Sequence, residues 1–124
     1  IMIVIATDAP LTSRNLERLA KRAMMGVART GGFASNGSGD YVIAFSTHED
    51  VRRLNGSGER TMDYTELKNS AMSPLFLAAV EATEEAILNS LFMAESMTGY
   101  GGDEMKALPI DEVMKIMSKY NRVD

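Results

Sequence analysis

The order of elements in this sequence predicts an α/β fold. Three observations carry that prediction: a β-branched apolar run at residues 1–6 (IMIVIA), a second run at 41–47 (YVIAFST), and two stretches of helical periodicity, at 12–29 and 73–97. A short, continuous apolar run bounded by turn residues reads as a strand covered on both faces. Apolar residues recurring three and four apart read as a helix lying on a core.

The first strand ends before Pro10, which cannot donate to a ladder, and Thr7 to Leu11 turns the chain. Thr12 is placed to cap the helix that follows. Leu16, Leu19, Ala20, Ala23, Met24 and Val27 form the buried stripe of that helix. Arg14, Arg18, Lys21 and Arg22 lie mainly off the stripe and read as a solvated face. Residues 31–40 (GGFASNGSGD) are a glycine- and serine-rich loop leading into the second strand. Residues 48–72 have weak periodicity, with a short helix expected near Met62 to Ser70. Ser73 and Pro74 suit the cap and the first position of the long helix. Its stripe of Phe76, Val80, Ile87, Leu91 and Ala94 is widened by Leu75, Ala79, Ala82 and Ala86, which predicts a well-buried helix. Thr98 to Asp103 reads as a turn, Met105 to Leu108 as a short strand stopped by Pro109, and Asp111 to Tyr120 as a final helix.

The 124 residues leave room for a single domain with one modest core. The net charge is −4, from 13 basic and 17 acidic residues, and no basic stretch tracks a phosphate backbone, so no nucleic-acid partner is expected. No apolar run approaches the ~20 residues that span a bilayer, so no membrane partner is expected either. Without cysteine there is no disulfide framework and no thiolate metal site, and the compartment stays undetermined. The chain opens with Ile1, and its first methionine is Met2. Trimming and internal cleavage both produce such a start. Two strands cannot bury both faces of the first one. Further sheet must come from elsewhere, which favours cleavage.

Gly37-Ser38-Gly39-Asp40 leaves three readings open. A phosphate cradle would lead into a helix and bring a lysine, whereas this loop leads into a strand. A plain flexible connection is the simplest reading. The third is catalytic: Ser38 and Asp40 are two apart at a strand start, so in extended geometry they share a face, where a hydroxyl and a carboxylate can relay or orient a proton. His48 is the only histidine; with Asp50 nearby it is a conceivable base, but its polar loop suits a solvated residue. One histidine and no cysteine argue against zinc. Glu81, Glu84 and Glu85 read as a solvated face, and the ten methionines as core or interface filler.

Several segments together resemble the small subunit of the L-aminopeptidase/D-amidase-esterase and β-peptidyl aminopeptidase family. They are IMIVIATDAPL at 1–11, NLERLAKRA at 15–23, VARTGG at 27–32, SGDYVIAFST at 38–47, VEATEEAILNSLFMAESMTG at 80–99 and ALP at 107–109. They occur in the family's order across nearly the whole chain. The middle, 50–72, carries little of the resemblance.

The resemblance implies a precursor that cleaves itself before a serine. That serine would precede Ile1 and act as the nucleophile toward amides or esters of substrates with a free N-terminal amine. It implies that residues 1–124 are the C-terminal (β) subunit, completed by a separate large (α) subunit into a four-layer αββα sandwich, layered like the N-terminal nucleophile hydrolases. It implies further assembly, such as a tetramer of heterodimers, a small peptide or amide substrate, and no cofactor. It places Ser38 and Asp40 as the residues that assist the nucleophile, with aspartate where members can carry glutamate. An ornithine acetyltransferase-like acyltransferase, with a threonine nucleophile, and a non-catalytic assembly domain are the competing readings.

Overall fold

The computed structural model describes residues 1–53, 55–56, 58 and 60–123. The elements run β1 (Met2–Thr7), α1 (Ser13–Arg29), β2 (Tyr41–Ser46), α2 (Ser73–Phe92), β3 (Met97–Thr98), β4 (Glu104–Met105) and α3 (Ile110–Lys119), with 3-10 turns at Glu49–Val51 and Asn69–Ala71. The chain divides into two compact units, Ile1–Glu85 and Ala86–Asp124.

In the first unit β1 and β2 pair in parallel, from Met2 opposite Tyr41 to Thr7 opposite Ser46, and α1 makes the crossover a parallel pair requires. Period-two alternation turns Ile3, Ile5, Val42 and Ala44 toward the helices, where they are half-buried. The opposite face carries Met2, Val4, Tyr41, Ile43 and Phe45, all exposed. The expectation of a first strand covered on both faces is therefore met on one face only. One layer of helices can shield one side of a sheet, and this chain supplies one such layer.

The core gathers Leu11, Leu19, Met72 and Ala79, with Ile5, Leu16, Leu67, Leu75 and Phe76 packed against them. Helices α1 and α2 approach closely at Gly26. A Cβ built there would lie 2.6 Å from the Val80 carbonyl oxygen and 2.7 Å from the Thr83 Cβ. Glycine is what allows that approach. Thr83, itself buried, satisfies its hydroxyl by donating to the Ala79 carbonyl at 2.7 Å.

Four local expectations need correction. Thr12 does occupy the N-cap of α1, but its side chain makes no cap bond; the hydroxyl donates to Glu66. That carboxylate also accepts from the buried Asn15 amide at 3.0 Å, so it outcompetes the helix end for the hydroxyl. No helix forms over Met62 to Ser70; its end holds only the turn Asn69–Ala71, and Leu67 donates to the Pro10 carbonyl at 2.9 Å. Arg18 and Arg22 are not simply solvated. Their guanidiniums lie 5.0 and 4.2 Å from the centre of the Phe76 ring, and both side chains are half-buried over it. Finally, α2 is less buried than its composition predicts. Ala79, Val80 and Thr83 are covered, while Leu77, Leu88, Leu91 and Phe92 are exposed.

In the second unit α2 ends at Phe92, short of the expected Met97, because the chain is drawn into a hairpin. Met97 pairs with Met105 and Thr98 with Glu104. Gly99 donates to the Asp103 carbonyl at 2.8 Å across the turn, where Gly102 takes φ +85°. The expected strand at 105–108 is thus only the second arm of this hairpin, Glu104–Met105. In α3, Asp111 and Glu112 sit in the first turn and Lys119 in the last, each suited to the helix dipole. No described helix is long and apolar enough to cross a membrane.

Candidate active site

Parallel pairing brings the starts of β1 and β2 to the same edge of the sheet. Tyr41 donates its backbone N–H to the Ile1 carbonyl at 3.1 Å, which sets the first nitrogen of the chain beside Asp40. The loop before β2 shapes the other half of the site. Ser38 closes a four-residue turn by donating to the Ser35 carbonyl at 2.9 Å, and Gly37, at its third position, has φ +94°. A side chain at that φ would be strained, so the glycine of this motif serves the turn.

Asp40 is the centre of the arrangement. Its Oδ2 accepts a hydrogen bond from the Ser38 hydroxyl at 2.6 Å, and its Oδ1 accepts one from the Ile1 nitrogen at 2.9 Å. The Asp40 side chain is only 12% exposed. Hydrogen bonds from the Ser38 hydroxyl first, and from the Ile1 nitrogen second, hold the Asp40 carboxyl below the usual carboxylate range. With its proton committed to Asp40, Ser38 presents only lone pairs to a group that approaches from outside.

The structure thus brings together Ser38, Asp40 and the start of the chain, the groups expected side by side. It does not bring His48 to them. That residue lies past the far end of β2, six strand residues or about 20 Å away. Its Nδ1 accepts from the Asp50 backbone N–H at 3.2 Å, where it caps the turn Glu49–Val51. Glu84 is engaged as well, accepting from Arg29 at 3.0 Å. Among the described residues no cluster of three or more His, Asp or Glu could hold a metal ion. Sequence reasoning did not anticipate that Asp40 would divide its two oxygens between Ser38 and the Ile1 nitrogen. The parallel register carries that contact, and pairing partners are not written in either strand alone.

Fold and geometry together define an α/β protein whose leading strand starts beside a serine-supported carboxylate. Residues 1–105 match the profile of peptidase family S58, and the chain belongs to that family. It is 42% identical over 124 residues to the β-peptidyl aminopeptidase BapA of Sphingosinicella microcystinivorans, covering 99% of this chain and 31% of that one. Among solved structures, the PH0078 protein of Pyrococcus horikoshii OT3 is similar with a TM-score of 0.86 at 49% identity, over 98% of this chain and 34% of that one. The L-aminopeptidase D-Ala-esterase/amidase of Ochrobactrum anthropi, described as a prototype serine aminopeptidase and a variant of the Ntn hydrolase fold, is similar with a TM-score of 0.86 at 34% identity, over 98% and 34% of the two chains. The expected fold class, α/β with the layering of the N-terminal nucleophile hydrolases, is therefore that of this chain. The chain spans about a third of the length of these relatives.

Proposed function

We propose that this chain is the C-terminal (β) subunit of a self-processed serine aminopeptidase, and that the nucleophile is a serine immediately before Ile1. The observation that carries the reading is the convergence of the Ile1 nitrogen and the Ser38 hydroxyl on the two oxygens of Asp40. A residue joined to that nitrogen would place its own α-amine and side chain beside Ser38.

The chemistry follows from that position. The α-amine of a terminal serine has an ordinary pKa of ~8, and partial burial lowers it. The neutral amine takes the hydroxyl proton as the oxygen attacks the acyl carbonyl, then returns it to the leaving amine. Ser38, whose proton is held by Asp40, accepts a hydrogen bond from the α-amine and fixes its orientation. Asp40, kept ionised, holds both Ser38 and the first peptide nitrogen of the small subunit. Water then attacks the acyl-enzyme by the same route in reverse. This scheme needs no metal or cofactor. The names of the relatives suggest short peptides, amides or esters with a free N-terminal amine, including β-amino-acyl compounds.

The same reading gives the exposed sheet face an occupant. A large (α) subunit cut from the same precursor supplies a second sheet over Met2, Val4, Tyr41, Ile43 and Phe45, and its own helices complete an αββα sandwich. Heterodimers then assemble further, as a tetramer for example. The length of the relatives supports a larger whole.

The test is intact-mass analysis and N-terminal sequencing of the protein expressed from its complete gene, with and without a serine-directed sulfonyl fluoride. Two polypeptides are expected, the smaller beginning with Ser-Ile-Met and carrying the adduct. A threonine in that position would favour the acyltransferase reading. An uncut, unlabelled protein that still hydrolyses alanyl amides would overturn the proposal.

A further inference from the structure

A groove of about 340 Å³ runs between α1 and α2, lined by Arg22, Met25 and Arg29 of the first helix and Phe76, Leu77 and Val80 of the second. Spacings of three and four put each set on one face of its helix. Met25 and Leu77 are exposed along it, and Val80 is buried. A cleft of this size, mainly apolar with a few fixed polar groups, has the usual form of a small-molecule site.

The charge around the groove differs from that of the chain. The net charge is −4, yet α1 carries five basic residues against one acid, Glu17. Arg29 is paired with Glu84 at 3.0 Å. Among the described residues Arg18 and Arg22 form no ion pair. Their guanidiniums nevertheless lie over one ring, 5.0 and 4.2 Å from the centre of Phe76. Arg18 is held in place by donating to the side-chain oxygens of Asn15 and Asn69. Arg22 makes one long bond among the described residues, from its Nη1 to the Arg18 carbonyl at 3.3 Å. Stacking fixes the plane of its guanidinium, and most of its N–H donors have no protein acceptor. Two cations on one ring repel each other, and an anion at Arg22 lowers that repulsion.

We infer that this groove binds a small apolar carboxylic acid, with its carboxylate on the outer edge of the Arg22 guanidinium and an aromatic or branched aliphatic body against Met25, Leu77 and Val80. Three features select that ligand. A planar guanidinium pairs with a carboxylate through two parallel hydrogen bonds. The walls between the arginines are hydrocarbon, and the groove has over twice the volume of the ~150 Å³ cavity that holds benzene in another protein, enough for a ring and a short tail bearing the acid. A cation on the ligand would meet Arg22 and Arg29, so the acid carries no free amine. That separates the groove from the chemistry proposed at Asp40, where the substrate has a free amine. The inference therefore holds or fails independently of the terminal serine.

The probe is hydrocinnamate, titrated into the protein expressed from its complete gene and labelled with carbon-13 at the methionine methyls. The Met25 signal, assigned with Met25→Leu, is expected to shift and saturate. The neutral hydrocinnamide should bind at least about 10-fold more weakly, and Arg22→Met should weaken hydrocinnamate by about 10–100-fold, the range for hydrogen bonds to a charged group. Hydrolysis of alanyl amides by Arg22→Met should match the wild type. Because Arg22 also packs on Phe76, Met25→Glu is a second variant at an exposed position. Its carboxylate pairs with Arg22 one turn away and should exclude the probe. A Met25 signal that hydrocinnamate leaves unmoved, equal binding of the amide, or a shift confined to Met2 beside the candidate active site would each overturn the inference.

Discussion

Asp40 divides its two carboxylate oxygens between the Ser38 hydroxyl and the Ile1 nitrogen, and the length of its side chain sets both contacts. Removing either partner should cost turnover rather than assembly. Ser38→Ala and Asp40→Asn are each expected to lower kcat by roughly 100-fold or more, the range for loss of proton-transfer assistance, with both polypeptides still co-eluting. Wild-type turnover in both variants would remove these residues from the mechanism. Asp40→Glu should retain more activity than Asp40→Asn, because the charge is kept. The carboxyl of Asp40 is held below its usual range, chiefly by Ser38, so Ser38→Ala should raise its titration in carboxyl-detected NMR. The sign for stability follows. A carboxyl with a depressed pKa in the folded state contributes stability above its unfolded value of ~3.9, and loses it as pH falls through the folded value. Urea titrations below about pH 4 should therefore show a shallower loss of stability in Asp40→Asn than in the wild type.

At the scale of elements, the contact of α1 with α2 sets the base on which the sheet lies. Gly26→Ala would gain about 1 kcal/mol of helix propensity. The added methyl meets a backbone oxygen and the Cβ of Thr83, neither of which can swing away. Overpacking of this kind costs about 1–3 kcal/mol, so a net loss of stability is expected, read as a lower urea midpoint of the assembled protein. Leu19, 2% exposed beneath the sheet, should cost about 2–5 kcal/mol on conversion to alanine. By contrast the Lys21–Glu17 pair is 66% and 68% exposed, and Lys21→Ala should change stability by less than about 1 kcal/mol.

The molecule as a whole leaves five large side chains of one sheet face in water, a surface of the kind that marks an interaction site. Ile43→Asp on that face is expected to stop the accumulation of cleaved, co-purifying polypeptides on gels and size-exclusion chromatography, because a buried, unpaired carboxylate opposes the joining of the sheets. Lys21→Ala serves as the surface control. Normal processing and co-elution of Ile43→Asp would argue against a second sheet on this face.

Local chemistry determined much of this protein. The β-branched runs became β1 and β2, the periodic stretches became α1 and α2, and Ser38 and Asp40 could be singled out because two residues at a strand start share a side. Those are short-range consequences of backbone sterics and side-chain alternation, legible along a single segment. Tertiary structure decided the rest. Thr12 left its helix end for Glu66, Arg18 and Arg22 came over Phe76, the last turn of α2 yielded to the hairpin of Met97 and Met105, and Asp40 met the nitrogen of Ile1. Each of these outcomes depends on a partner distant in the chain, and competition among such partners is settled only when the elements pack.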